Sequence, residues 1–186
     1  MNFFLIRTLD FIMAFGGLVV TLPILIIVTL IGYFDTKSPI FIQQRVGKNK
    51  RPFNLIKFRT MSVDTKSVAS HLASTASITK LGSFLRKSKI DELPQLINVL
   101  KGEMSFVGPR PNLFNQEELI KERNQRGVYD VLPGITGLAQ IQNVDMSTPE
   151  QLAVTDKEMI DSLTLKRYFK YIIMTATGSG SGDTIT

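Results

Sequence analysis

Charged residues are absent between Phe11 and Phe34, a run of 24 positions reading FIMAFGGLVVTLPILIIVTLIGYF. As a helix rising about 1.5 Å per residue the run would be roughly 36 Å long, enough for a bilayer core of about 30 Å. A core helix of this length normally keeps a polar face. A secretory signal has a shorter apolar core and a small-residue cleavage site, whereas Tyr33-Phe34-Asp35 follows here. The run is therefore predicted to enter a membrane. Pro23, near its midpoint, removes a helix hydrogen bond. Two topologies follow, a kinked span or a re-entrant hairpin with both ends on one side.

Beyond the run the pattern changes. Pro39-Ile-Phe-Ile-Gln-Gln-Arg-Val46 and Phe53-Asn-Leu-Ile-Lys-Phe-Arg59, separated by Gly-Lys-Asn-Lys-Arg-Pro, predict a β-hairpin whose second arm brings Lys57 and Arg59 onto one face. Ser62 to Thr79 has no clear period and reads as a loop or weak helix, with His71 a solvated side chain inside it. Leu81, Phe84 and Leu85 among Lys80, Arg86, Lys87 and Lys89 predict a basic amphipathic helix suited to a membrane surface. Leu93, Leu96, Ile97 and Leu100 form a helical stripe starting directly after Asp91-Glu92 and ending at Gly102. Leu165, Tyr168, Phe169, Ile172 and Ile173 form another, for which core packing is the expectation. The expected fold is helix-rich α+β, with an N-terminal membrane element over 1–35, one domain over 36–178 and a frayed Gly/Ser-rich tail over 179–186.

Composition removes several chemistries. With no Cys and one His, disulfides, thiolate or multi-histidine metal sites and cysteine nucleophiles are excluded. The net charge of +6 is not spread evenly. Residues 35–66 carry eight basic side chains against two acidic, and the rest of the chain is neutral. A basic collar next to an apolar segment follows the positive-inside rule and favours anionic lipid, placing residues 35 onward in the cytoplasm. A pI near 9.6 also raises nucleic-acid binding. The collar has few interleaved aromatics and abuts the membrane segment, so phosphates of lipids and substrates explain it better.

The chain lacks a Walker A loop, a G-x-G-x-x-G fingerprint, an H-E-x-x-H motif and a D-x-D pair. What remains is Asp91-Glu92 at a predicted helix start, with Arg86, Lys87 and Lys89 before it and Gly108-Pro109-Arg110-Pro111 after it. Free N–H groups and the helix dipole keep such carboxylates ionised. One can then act as a nucleophile while its neighbour holds Mg²⁺, with Lys and Arg gripping phosphate oxygens. Those parts suit phosphoryl transfer. Spacing alone favours the plainer reading, that acidic residues cap the helix.

Four strings occur in order: Phe53-Asn-Leu-Ile-Lys-Phe-Arg-Thr-Met61, Ile90-Asp-Glu-Leu-Pro-Gln-Leu-Ile-Asn-Val-Leu100, Lys101-Gly-Glu-Met-Ser-Phe-Val-Gly-Pro-Arg-Pro111 and Pro133-Gly-Ile-Thr-Gly-Leu-Ala-Gln140. Through them the chain resembles the bacterial sugar transferase family, in particular its small monotopic phosphoglycosyl transferases, from the apolar N-terminus to about residue 174. The resemblance implies a re-entrant membrane helix, a β-hairpin and amphipathic interfacial helices around one catalytic domain. It implies transfer of a sugar 1-phosphate from a UDP-sugar to undecaprenyl phosphate, releasing UMP, at the cytoplasmic face of the bacterial inner membrane as surface glycan assembly begins. Asp91 is implied as nucleophile and Glu92 as Mg²⁺ ligand. Lys57, Arg86 and Arg110 are implied as phosphate contacts, with Arg59 beside Lys57 in the same role, and Asp161 matches an acidic position of the active-site region. The chain departs from the pattern at Leu22, at Leu132, at 141–145 and around Asp161. The other reading is a catalytically silent lipid or partner dock, and a homodimer is left open.

Overall fold

The computed structural model describes residues 3–65 and 77–178. The loop reading for Ser62–Thr79, including His71, therefore lies largely outside the described residues, as does the tail beyond Gly178. Helices dominate. α1 (Phe3–Thr36) is one 34-residue helix with Pro23 inside it. β1 (Ile40–Val46) and β2 (Pro52–Phe58) form the antiparallel hairpin, registered from Ile40↔Phe58 to Val46↔Pro52. There follow α2 (Lys80–Lys87), α3 (Gln95–Lys101), β3 (Ser105–Val107), α4 (Glu117–Gln125), β4 (Gly134–Thr136), α5 (Leu138–Ile141), α6 (Pro149–Ser162) and α7 (Leu165–Ala176).

α1 is apolar all round, yet only 11% of its most apolar stretch is buried against the rest of the protein. A soluble core helix buries most of such a surface, so the outward face is left for another apolar medium. Phe11, Phe15, Val19, Val20, Ile27 and Ile31 all lie on it. The remaining strip ties α1 to the body at both ends. Near its start, Asp10 Oδ1 accepts from Ser105 Oγ and Phe106 N at 3.0 Å each and from Tyr168 Oη at 2.6 Å. One turn earlier, Arg7 Nη2 donates to Leu100 O at 3.1 Å. Ala14 and Leu18 pack with Phe53, Leu55, Leu96, Val99 and Met104. Towards the other end, Leu25 and Val28 meet Phe58, Leu81, Leu85 and Ile90.

The hairpin joins this core through alternation. Phe53 and Leu55 point inward, and Asn98 on α3, fully buried, stitches the adjacent strand edge. Its Nδ2 donates to Asn54 O at 2.7 Å and its Oδ1 accepts from Ile56 N at 3.1 Å. Periodicity did not reveal β3 and β4, a parallel pair with Ser105 opposite Gly134 and Val107 opposite Thr136. A Cβ on Gly134 would lie 2.0 Å from Gly108 N, so this backbone approach requires glycine.

Two helix readings change on folding. The stripe after Asp91-Glu92 does not begin the helix there: Pro94 caps α3, and the two carboxylates sit one turn upstream, in the 3-10 turn Ile90–Glu92. The C-terminal stripe is split. Tyr168 and Tyr171 enter the core with Ile6, Val107 and Met159, while Leu165, Phe169 and Ile173 face outward at helical spacing.

Candidate active site

The carboxylate turn is held between α2 and α3 by Lys89, whose left-handed backbone (φ 56°, ψ 15°) reverses the chain after α2. Only short segments with tertiary support tolerate that conformation in a lysine. Asp91 is buried, and Glu92 is half-buried with Oε1 2.9 Å from Arg110 Nη2. That ion pair brings the third motif of the chain onto the second, across 18 residues of sequence.

Arg86 leaves the last turn of α2. Its Nε donates to Thr60 Oγ1 at 2.8 Å, while Nη1 is buried with no hydrogen-bond partner among the described residues. A buried guanidinium nitrogen without an acceptor is unfavourable by itself and is the natural partner for an anionic oxygen. Close packing explains the position: a Cβ on Gly82 would fall 2.0 Å from Thr60 O, so α2 lies directly on the end of the hairpin.

Lys57 sits opposite Phe41 in the hairpin, with Nζ 5.7 Å from the ring centroid, and the Arg59 guanidinium lies 5.2 Å from the same ring. Arg59 Nε donates to Ser38 O at 2.8 Å, so this guanidinium fastens the link between α1 and β1. Asp161 is not brought to the carboxylate turn. It is exposed on α6 and pairs with Lys157 one turn before it.

The acidic residue of α6 that does connect with the site is Asp156, which sequence reasoning missed. It is buried and binds Arg123, whose Nη1 in turn donates to Arg110 O at 2.8 Å. Burial raises the Asp156 carboxyl above the ordinary aspartate range, and the Arg123 charge pulls it back. A usable signal existed, since Asp156 shares the buried face of α6 with Leu152, Ala153 and Met159, where an acid needs a partner.

Among the described residues no group of three or more His, Asp or Glu side chains gathers as a ready-made metal cage. Two adjacent carboxylates still fit Mg²⁺, which commonly takes one or two protein oxygens and completes its shell with water and substrate phosphate. A cavity of about 270 Å³ lies elsewhere, between the start of α1, β3 and the end of α6, and is lined by none of the predicted site residues.

Comparison with known proteins agrees with this assembly of motifs. The family model described as bacterial sugar transferase matches residues 1–180, and the chain belongs to that family. It is 41% identical over 139 residues to the protein named uncharacterized sugar transferase EpsL of Bacillus subtilis, covering 74% of this chain and 68% of that one. It is 34% identical over 179 residues to the UDP-glucose:undecaprenyl-phosphate glucose-1-phosphate transferase of Caulobacter vibrioides, covering 91% and 67%. An uncharacterized sugar transferase of Haemophilus influenzae is 37% identical over 162 residues, but there the chain spans only 34% of the relative's length.

Proposed function

We propose that this protein transfers a sugar 1-phosphate from a UDP-sugar to undecaprenyl phosphate through a covalent intermediate on Asp91. The observation that carries the reading is the meeting of the Asp91-Glu92 turn with Arg110, at a turn against which α2, the helix that carries Arg86, also packs. The Glu92 carboxylate pairs with a guanidinium of the kind that binds phosphate oxygens.

An Asp91 carboxylate oxygen attacks the phosphorus that bears the sugar. The bond from that phosphorus to the bridging oxygen breaks, and UMP leaves with both electrons and the oxygen. An oxygen of undecaprenyl phosphate then attacks the same phosphorus, freeing the Asp91 carboxylate and forming undecaprenyl-diphospho-sugar. The two half-reactions give ping-pong kinetics. Arg86 and Arg110 bind and orient the phosphate oxygens, and Lys57 adds charge from the hairpin. Glu92 and Asp91 would hold Mg²⁺, which when bound supplies neutralisation of diphosphate charge.

The membrane placement belongs to the same proposal. α1 is read as re-entrant, with its ends and the active site on the cytoplasmic face. In support, Asp10 and Val28 both pack on the body although some 27 Å of helix at about 1.5 Å per residue lies between them. A straight crossing would carry that body, with its charged hairpin, through hydrocarbon. Leu165, Phe169 and Ile173 on α7 and Phe84 on α2 supply interfacial contacts beside Lys166, Lys170 and Lys87.

The test is release of UMP from a panel of UDP-sugars with undecaprenyl phosphate in membranes or nanodiscs. Asp91→Asn is expected to lower turnover by at least 10³-fold and to abolish the acceptor-independent burst of UMP. Normal turnover in that variant would refute the covalent route. Glu92→Gln is expected to weaken the Mg²⁺ response, and an unchanged metal titration would move the ion elsewhere.

A further inference from the structure

Arg110 lies in a loop that follows β3, so no helix or strand ladder directs its side chain. The loop is nevertheless bound at successive main-chain positions. Arg123 Nη1, from α4, donates to Arg110 O at 2.8 Å and to Asn112 Oδ1 at 3.0 Å. Arg45 Nη1 donates to Pro111 O at 3.2 Å, and Val46 N donates to Asn112 O at 2.9 Å. Tyr129 Oη completes the set by donating to Asn112 Oδ1 at 3.0 Å. On its far side the Arg123 guanidinium is gripped by Asp156 Oδ2, 2.9 Å from Nε and 2.7 Å from Nη2, with both side chains 1% exposed.

An ion pair so fully removed from water is a poor way to glue α4 to α6. Well-packed apolar residues of similar volume usually stabilise such a junction as well or better. An apolar pair lacks directed N–H groups. The guanidinium is a rigid planar fork, so a carboxylate gripping one edge also sets the direction of the remaining nitrogen. Here that nitrogen meets the carbonyl of Arg110, the residue whose side chain reaches Glu92.

We propose that Arg123, oriented by Asp156, is a positioning residue that fixes the Arg110 main chain so that its guanidinium is aimed at the Asp91-Glu92 turn. The proposal rests on the reading of Arg110 as a phosphate-binding residue of a transferase. Arg123 and Asp156 touch no substrate. They act only through Arg110 and its loop.

The test uses the full chain in nanodiscs and the apolar replacement Arg123→Met with Asp156→Leu, made alone and together with Arg110→Ala. Thermal unfolding, UMP release and amide hydrogen exchange are followed on each. The apolar pair is expected to unfold within a few degrees of wild type while UMP release falls about 100-fold. Adding it to Arg110→Ala should then change the rate by less than threefold, because the two replacements remove the same interaction. The Val46 amide, which donates to Asn112 O, should exchange at least tenfold faster. A rate within threefold of wild type, losses that multiply with Arg110→Ala, or unchanged Val46 exchange would each overturn the proposal. Should the apolar pair not fold, Arg123→Lys keeps the charge and loses the fork. It is expected to lose at least tenfold in UMP release, and wild-type turnover there would overturn the proposal equally. If wild-type protein releases UMP from no donor, the transferase reading fails, while the Val46 exchange still decides the positioning claim.

Discussion

Thr60 and Gly82 are neighbours only in space, yet together they decide where Arg86 points. Thr60 Oγ1 accepts from Arg86 Nε, and its carbonyl occupies the place of a Cβ on Gly82. Gly82→Ala must therefore push α2 off the hairpin end or displace Thr60, an overpacking that costs about 1–3 kcal/mol. The expected result is a lower unfolding midpoint together with a donor KM raised at least tenfold, measured by thermal melts and UMP release. A variant with both unchanged would show that α2 adapts freely. Residue-level placement was legible where a side chain stays close to its own motif, as with Asp91-Glu92 just ahead of α3. It was not legible for Asp156, whose relevance depends on Arg123 crossing 33 positions of sequence to meet it. Asp161, five positions further on, has a similar composition around it but the wrong helical phase, and so faces solvent.

Elements with a long period could be read in advance, and those without one could not. The hairpin and the helical stripes repeat over enough positions for one face to stand out, whereas β3 and β4 are three residues each and owe their pairing to Gly108 and Gly134 closing on one another. Packing at the element level also makes a pH prediction. α7 holds the start of α1 through Tyr168, which donates to Asp10. Burial first, then the hydrogen bond and charge of Asp10, push the phenol well above its usual range. Above about pH 10 the unfolded chain releases this proton while the folded chain keeps it, so stability falls as pH rises through that window. Tyr168→Phe is expected to cost about 1 kcal/mol near neutrality, from the lost hydrogen bond, and to flatten the alkaline slope. Urea unfolding between pH 8 and pH 11 measures both effects. Tyr129 and Tyr171, also raised by burial, leave a residual slope. A slope as steep in Tyr168→Phe as in wild type would move the titration to those residues.

At the scale of the molecule, the apolar run and the basic collar identified a membrane protein, but hydropathy has no term for which end of a helix touches the rest of the chain. Folding supplies that term. α1 is bound near Asp10 by β3 and α7, and near Val28 by the hairpin and α2, so the body lies along the helix and not beyond one of its ends. Thr21 Oγ1 donates to Gly17 O at 2.7 Å and Thr29 Oγ1 to Leu25 O at 2.6 Å, on either side of Pro23. Such back-bonding eases bending, and Pro23 leaves the Val19 carbonyl without its helical donor. All of this suits a helix that dips into one leaflet and returns. The chain contains no cysteine, so single substitutions give a clean labelling background. Asn2→Cys and Lys37→Cys are expected to react with a membrane-impermeant maleimide from the same side of sealed inverted vesicles, and to stay unlabelled in right-side-out ones. Leu22→Cys, beside Pro23, should react from neither side. Opposite sidedness of positions 2 and 37 would require a true span. The contacts of Asp10 or of Val28 would then have to break in the membrane, because the folded body that makes both cannot stand on two sides of a bilayer at once.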